Sequence, residues 1–395
     1  MYRVITNIKI IQQPTADFPL RNKTLTFDFS KEYEANDNWR NLTNTGRVVL
    51  PKKLYYRDTN NKLQPLEGTN VNIGGFSSNP PTLLRGDVVT IDWAYKYYRQ
   101  GKEVIESSND GLPLFSGFIS QVTSKKPFEF LIEDNMWKLK QIPAPTHTFL
   151  ATDTLEDILK FLLTETNFKV QTTTQTTFGI FKIGNETVTE VLARLRKAYR
   201  FEFFFRGNTL YGGSLIYSLI TPKTRVFTFQ ENIISDELEY RRKDDITLSA
   251  VAQNTVNEET GGTTHDGQPK TKKTRLEVLV TFQNGSDSPT NFIKQKGIDY
   301  PPNTGGERRT LFFPGAKNIK ELEELAAAEL KKYYYTGFKG KFLTFGLPLV
   351  RMGDNVKIID TVLPERNGTY KVRSVGYTAG SSGLRQEIEV DYKIS

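Results

Sequence analysis

The sequence predicts a mainly β protein with an α+β insert: two barrel-like β-domains, residues 1–145 and 231–395, flank a small α/β module at 146–230. Three observations carry that expectation. Short apolar or alternating runs, separated by Asn, Gly, Pro and Ser clusters, fill both ends of the chain, as strands and turns do. Two stretches between them show helical periodicity instead. One strand motif occurs twice, once in each outer region.

In the first region, Tyr2–Ile11, Thr24–Phe29, Gly46–Leu50, Val88–Trp93, Gly117–Val122 and Phe128–Ile132 read as strands. Arg57–Pro81 and Gln100–Gly111 read as long polar loops. In the middle, Asp153–Thr166 places Leu155, Ile158, Leu159 and Leu162 on one helical face behind a Thr/Asp start signal. Glu186–Arg200 repeats the pattern with Val188, Val191, Leu192 and Leu195. Phe201–Phe205 and Thr209–Tyr211 follow as a strand pair turned through Arg206-Gly207-Asn208.

The last region returns to strands around one helix, Asn318–Thr336. Asn318 is its N-cap, Glu321 completes a capping box, and Gly337 ends it. Asn254–Thr274 is polar and rich in Gly, Thr and Lys, the composition of a long mobile hairpin loop.

The repeated motif is G-D-x-V-x-I, at Gly86-Asp87-Val88-Val89-Thr90-Ile91 and Gly353-Asp354-Asn355-Val356-Lys357-Ile358. Each copy precedes a second strand, Phe118–Val122 or Tyr370–Val375, and a third, Phe128–Glu133 or Gln386–Tyr392. Gly-Asp before a strand is a turn, and three elements echoing in order imply two related β-domains. Gly86, Asp87, Gly353 and Asp354 are therefore the structural turns of a duplicated unit, with Gly86 expected on Gly353 and Phe118 near Tyr370.

Composition narrows the chemistry. With 395 residues, two or three domains are expected. The net charge of +8 is mild at this length and does not by itself indicate nucleic acid. There are no cysteines, so disulfides, thiolate metal sites and cysteine nucleophiles are excluded together. Only His147 and His265 are available for histidine chemistry, and neither has a G-x-S-x-G or metal-ligand context. Glu133-Asp134, Asp236-Glu237 and Asp244-Asp245 are the carboxylate pairs a glycoside hydrolase would need, but all sit beside Lys or Arg, as surface ion pairs do. Trp93–Arg99 and Lys331–Tyr335 interleave aromatic and basic residues as single-strand binders do, yet their periodicities fit a strand and a helix with one face in a core. No apolar run approaches the ~20 residues that span a bilayer, and the N-terminus has no signal-peptide core.

The layout resembles the tail hub proteins of contractile phage tails and injection systems, the late-control-D, T4 hub and VgrG N-terminal group. The residues that carry it are Leu84–Ile91 with Leu114–Ile119, the middle module, the Leu-Ala-Ala-Ala-Glu-Leu helix, Gly337–Gly340, Leu343–Pro348, Arg351–Asp354 and Tyr370–Val375. The resemblance implies a homotrimer whose paired barrels form a pseudo-sixfold ring between tail tube and spike, acting without catalysis, cofactor or metal. It implies partners in the tube protein, other baseplate proteins and, since the chain ends at Ser395 soon after the second barrel, a spike on a separate chain. No membrane insertion and no specific nucleic acid are expected, and the location is a virion baseplate or injection particle assembled in the host cytoplasm. The alternatives are a tail-borne polysaccharide- or peptidoglycan-degrading enzyme and a nucleic-acid-binding β-barrel protein.

Overall fold

The computed structural model describes residues 3–395 apart from 52–53, 59, 67–80, 109–110, 124–126, 151, 173–179, 215, 264–268, 296, 304–305 and 314–315. The chain is mostly β, as expected. The first region holds β1 (Arg3–Ile11), β2 (Thr24–Phe27), β3 (Glu32–Asn38), β4 (Thr45–Val49), β5 (Leu54–Arg57), β6 (Leu63–Leu66), β7 (Val88–Arg99), β8 (Lys102–Ser107), β9 (Phe115–Val122) and β10 (Glu129–Asp134). Alternation drives these strands: β10 buries Phe130, Ile132 and Asp134 and turns the residues between them outward.

The middle module comprises α1 (Met136–Leu139), β11 (His147–Phe149), α2 (Leu155–Leu162), β12 (Lys169–Gln171), β13 (Phe181–Ile183), α3 (Val188–Tyr199), β14 (Glu202–Arg206) and β15 (Thr209–Gly213). Capping boxes start both longer helices, Thr154 with Asp157 and Thr187 with Glu190. The apolar faces read from the sequence, Leu155, Ile158, Leu159 and Leu162 on α2 and Val188, Val191, Leu192 and Leu195 on α3, fill a separate core with Phe201, Phe203 and Leu210.

The last region contains β16 (Thr224–Thr228), β17 (Ile233–Arg241), β18 (Leu248–Thr263), β19 (Pro269–Phe282), β20 (Thr290–Ile293), β21 (Glu307–Phe312), α4 (Ile319–Lys331), β22 (Gly337–Phe345), β23 (Asn355–Ile359), β24 (Gly368–Gly380) and β25 (Gly383–Lys393). β18–β21 form their own four-stranded sheet, order β20-β19-β18-β21. α4 packs on it through Leu322, Ala326 and Leu330 against Leu248, Val278, Val280 and Phe282. This unit is an insertion between β17 and β22.

The remaining outer strands share one sixteen-stranded sheet and one core. Within that sheet the first region runs β1-β7-β9-β10-β4-β3, and the last region runs β16-β23-β24-β25-β22-β17. Numbered by their order along the chain, the six strands of each set follow the same sequence across the sheet. The repeat extends to side chains. Arg47 on β4 bridges Glu34 and Glu129 at 3.7 and 3.4 Å, and Lys341 on β22 bridges Glu237 and Glu387 at 3.6 and 3.2 Å. A bulge interrupts β9 against β10 between Ile119 and Gln121, and β24 against β25 between Val372 and Ser374. One pairing differs: β1 is antiparallel to β7, whereas β16 is parallel to β23.

The two sets meet where β3 pairs with β24, from Asn38 opposite Ser374 to Tyr33 opposite Ala379.

Several expectations are corrected. Among the described residues no sheet closes into a barrel; the strand path is open, with β17 at one end. Asn254–Thr274 is not a loop for most of its length: β18 and β19 pair down to Thr263 opposite Pro269. Lys102–Ser107, read as loop, is β8 and pairs with β7; its side chains are almost all exposed, which removes the alternation a half-buried strand shows. Leu63–Leu66, in the other stretch read as loop, pairs with β5. The helix expected over Asn318–Thr336 stops at Lys331, and Gly337 opens β22 instead of capping the helix.

Candidate functional site

The two Gly-Asp turns are bonded alike. In each, the Asp N–H donates to the carbonyl three residues back, Asp87 to Leu84 at 3.2 Å and Asp354 to Arg351 at 3.1 Å. Gly86 has φ 93° and Gly353 has φ 83°, a left-handed conformation that strains any residue with a Cβ. Gly86 N–H donates to the Ile119 carbonyl at 2.8 Å, and Ile119 N–H donates to the Asp87 carbonyl at 2.9 Å. Gly353 and Asp354 make the same exchange with Val372, at 3.0 and 2.9 Å.

The carboxylates complete each turn. Asp87 accepts from Leu84 N–H at 2.8 Å and Gln13 N–H at 2.9 Å. Asp354 accepts from Arg351 N–H and Lys223 N–H, both at 3.0 Å. These bonds match Ile119 with Val372, so Phe118 corresponds to Lys371, one residue from the Tyr370 expected.

The surroundings of the turns differ. Asp87 forms an ion pair with Arg21 at 2.6 Å, and both side chains are at most 1% exposed. Such a pair offsets its desolvation only while both members are present. Asp354 has instead Lys371, whose Nζ donates to the Gly353 carbonyl at 3.1 Å. Burial raises the Asp354 carboxyl and lowers the Lys371 ammonium.

The second turn is also roofed by the first repeat. Met352 N–H donates to the Asp37 carboxylate at 3.0 Å, and the Arg351 guanidinium donates to the carbonyls of Leu112 and Pro113 at 2.7 and 3.1 Å. Arg206 of the middle module reaches the Met352 carbonyl. Arg351, Met352 and Gly353 are buried as a result, whereas Arg85, which matches Met352, is exposed and lies over the Trp137 ring. Beneath the seam, Trp93 packs edge-on against Tyr33 and Tyr377 at 6.4 and 5.6 Å.

The candidate catalytic residues are dispersed. His147 lies on β11 with its ring 4.6 Å from Phe149 and Phe161. His265 lies outside the described residues. Glu133 pairs with Lys140 at 2.6 Å. Asp134 is buried and accepts from the N–H groups of Asn44 and Met136, both at 3.0 Å, and burial pushes its carboxyl up to about 7. It ties β10 to the start of α1. Asp236 and Glu237 are exposed on β17, and Asp244 pairs with Arg242 at 3.0 Å beside Asp245.

In the aromatic-basic stretches, Trp93 is buried and Tyr95 donates to the Leu384 carbonyl at 3.2 Å. Tyr333 sits under the Arg309 guanidinium at 3.8 Å, and Tyr335 donates to the Phe338 carbonyl at 3.0 Å. Among the described residues no three His, Cys, Asp or Glu side chains gather as a metal site, and no helix is long and apolar enough to cross a membrane. Arg21 and Asp37, which organise the first turn and the seam, belong to no sequence motif, whereas Arg351 stands in the Arg351–Asp354 motif that carries the resemblance. Their partners lie far away along the chain.

No protein-family model and no curated protein sequence matches the chain. Solved structures do. A tail protein from Neisseria meningitidis MC58 superposes with a TM-score of 0.53 at 13% identity, covering 98% of this chain and 96% of that one. The 43 kDa tail protein of prophage MuSo2 from Shewanella oneidensis superposes with a TM-score of 0.52 at 10% identity, covering 98% of both chains. Over nearly its whole length, the chain therefore has the fold of these tail proteins, the fold that its resemblance to the tail hub group implied.

Proposed function

We propose that the chain is a structural tail or baseplate hub, a homotrimer whose two six-stranded repeats per chain make a pseudo-sixfold ring joining the tail tube to a central spike. The observation that carries this reading is the duplication: one strand order, one bulge and one Gly-Asp turn each occur twice in a single chain. Six similar units from three chains match a sixfold tube on one face while keeping threefold symmetry for a spike on the other. The fold shared with tail proteins supports the same role. Its partners are the tube protein, the spike and other baseplate proteins, and its place is the tail particle.

Function then rests on surfaces and not on reactive side chains, in keeping with the dispersed carboxylates and their ion-paired or backbone-bonded settings. Light scattering and native mass spectrometry test the proposal. A trimer is expected, alone at high concentration or with tube and spike proteins present. A monomer under all those conditions would overturn it.

A further inference from the structure

We propose that the free edge of β17 pairs with β9 of a second copy of this chain, in the register in which β3 pairs with β24 within one chain. This inference rests on the proposed ring and specifies its seam. β17 ends the path of the large sheet: it pairs with β22 on one side and, among the described residues, with no strand on the other. Its counterpart in the first repeat, β3, has both sides filled, by β4 and by β24. β24 offers β3 the edge that continues past its pairing with β23, which stops at Lys371. β9 carries the same edge: its pairing with β7 stops at Phe118, and Ser120–Val122 lie beyond it.

The registers are linked residue by residue. Ile119 matches Val372 through the turn bonds, and the shared bulge then matches Gln121 with Ser374 and Val122 with Val375. On the outer strands, Gly46 faces Ile132 and Gly340 faces Val390, which matches the two glycines. Ala35 opposite Gly46 then matches Leu238 opposite Gly340. Carrying the pairs Ser374–Asn38 and Val375–Asp37 across sets Gln121 opposite Arg241 and Val122 opposite Tyr240 in the next copy.

Two further observations favour a copy of the chain as the occupant. The turn at Arg351–Gly353 is roofed by β3 and its neighbours, while the equivalent Arg85 is exposed. The acidic residues of β17, Asp236, Glu237 and Glu239, keep an open edge from pairing at random. They do not prevent this pairing, because β3 carries Glu32, Glu34 and Asp37 and is paired on both sides. The contact is head-to-tail, the kind that closes into a ring when the rotation per copy allows it and that two copies alone do not satisfy.

The chain has no cysteine, so introduced pairs report cleanly. The double variants Gln121→Cys/Arg241→Cys and Val122→Cys/Tyr240→Cys are oxidised and run on non-reducing gels beside native mass measurements. Adjacent antiparallel positions alternate in side-chain separation, so one of the two pairs holds the closer geometry. Covalent species up to the trimer are expected from at least one pair. Single variants should give none, and a mixture of Gln121→Cys with Arg241→Cys should stop at a covalent dimer. A folded trimer that neither pair cross-links overturns this seam and leaves the ring standing. A folded chain that stays monomeric removes both.

Discussion

Arg21 and Asp87 are taken out of water together, so the first turn tolerates loss of the arginine poorly. In Arg21→Met the Asp87 carboxylate stays buried beside the Leu84 and Gln13 N–H groups with its counter-charge gone, a cost of about 3–5 kcal/mol. Asp354→Asn removes one acceptor from a turn held by two backbone N–H groups, and about 1–3 kcal/mol is expected. Denaturant midpoints should fall in that order. A second residue-scale effect concerns pH. Burial raises Asp134 from its ordinary value of 3.8 to about 7, so the folded state binds this proton more tightly than the unfolded chain does. Its contribution to stability is complete below about pH 4 and is lost as pH rises towards and through about 7. Melting temperatures of the wild type and Asp134→Asn, compared across that range, should show a shallower slope in the variant, where the half-buried Glu202, also raised to about 7, still contributes.

At the scale of elements, the turn before β23 decides how the repeats join. Gly353→Val puts a β-branched side chain at φ 83° and sets its Cβ 2.6 Å from Ile220 Cδ1. Strain of about 1–3 kcal/mol, set against a typical total of about 5–15 kcal/mol, leaves the chain folded. The displaced turn also carries Met352, which is bonded to Asp37 across the seam, so assembly should fail before folding does. Circular dichroism beside scattering on one sample reads both. This turn was legible in the sequence because its geometry needs glycine and its carboxylate needs backbone donors, so two residues mark it wherever it occurs. The helices of the middle module were legible because their apolar faces and caps are local. β8 was not, since an exposed strand carries no alternation. Nor was the insertion of β18–β21 with α4: a strand pattern fixes a buried face but not which sheet receives it. The antiparallel β1 and parallel β16 leave no shared motif either, which is why the echo began only at Gly86.

At the scale of the whole molecule, a hub and an enzyme differ in what a single polar side chain can do. A ring spreads its function over strand edges and buried seams, so damage follows folding and assembly. The residues an enzyme reading would use sit in ordinary structural roles. Glu133 and Lys140 form a partly exposed pair of the kind worth about 0–1 kcal/mol, and the exposed His147 packs its ring beside Phe149 and Phe161. Glu133→Gln and His147→Ala, singly and together, should therefore leave melting temperature and native mass within error of the wild type. Particles rebuilt with the double variant should remain infective, or the injection system active, at wild-type level. A variant that stays folded and trimeric yet loses that activity points to chemistry at those side chains, and a zymogram on peptidoglycan or polysaccharide then identifies the reaction. Partial loss that scales with loss of trimer points to the seams instead, because an assembly defect lowers the number of competent particles without changing what each one does.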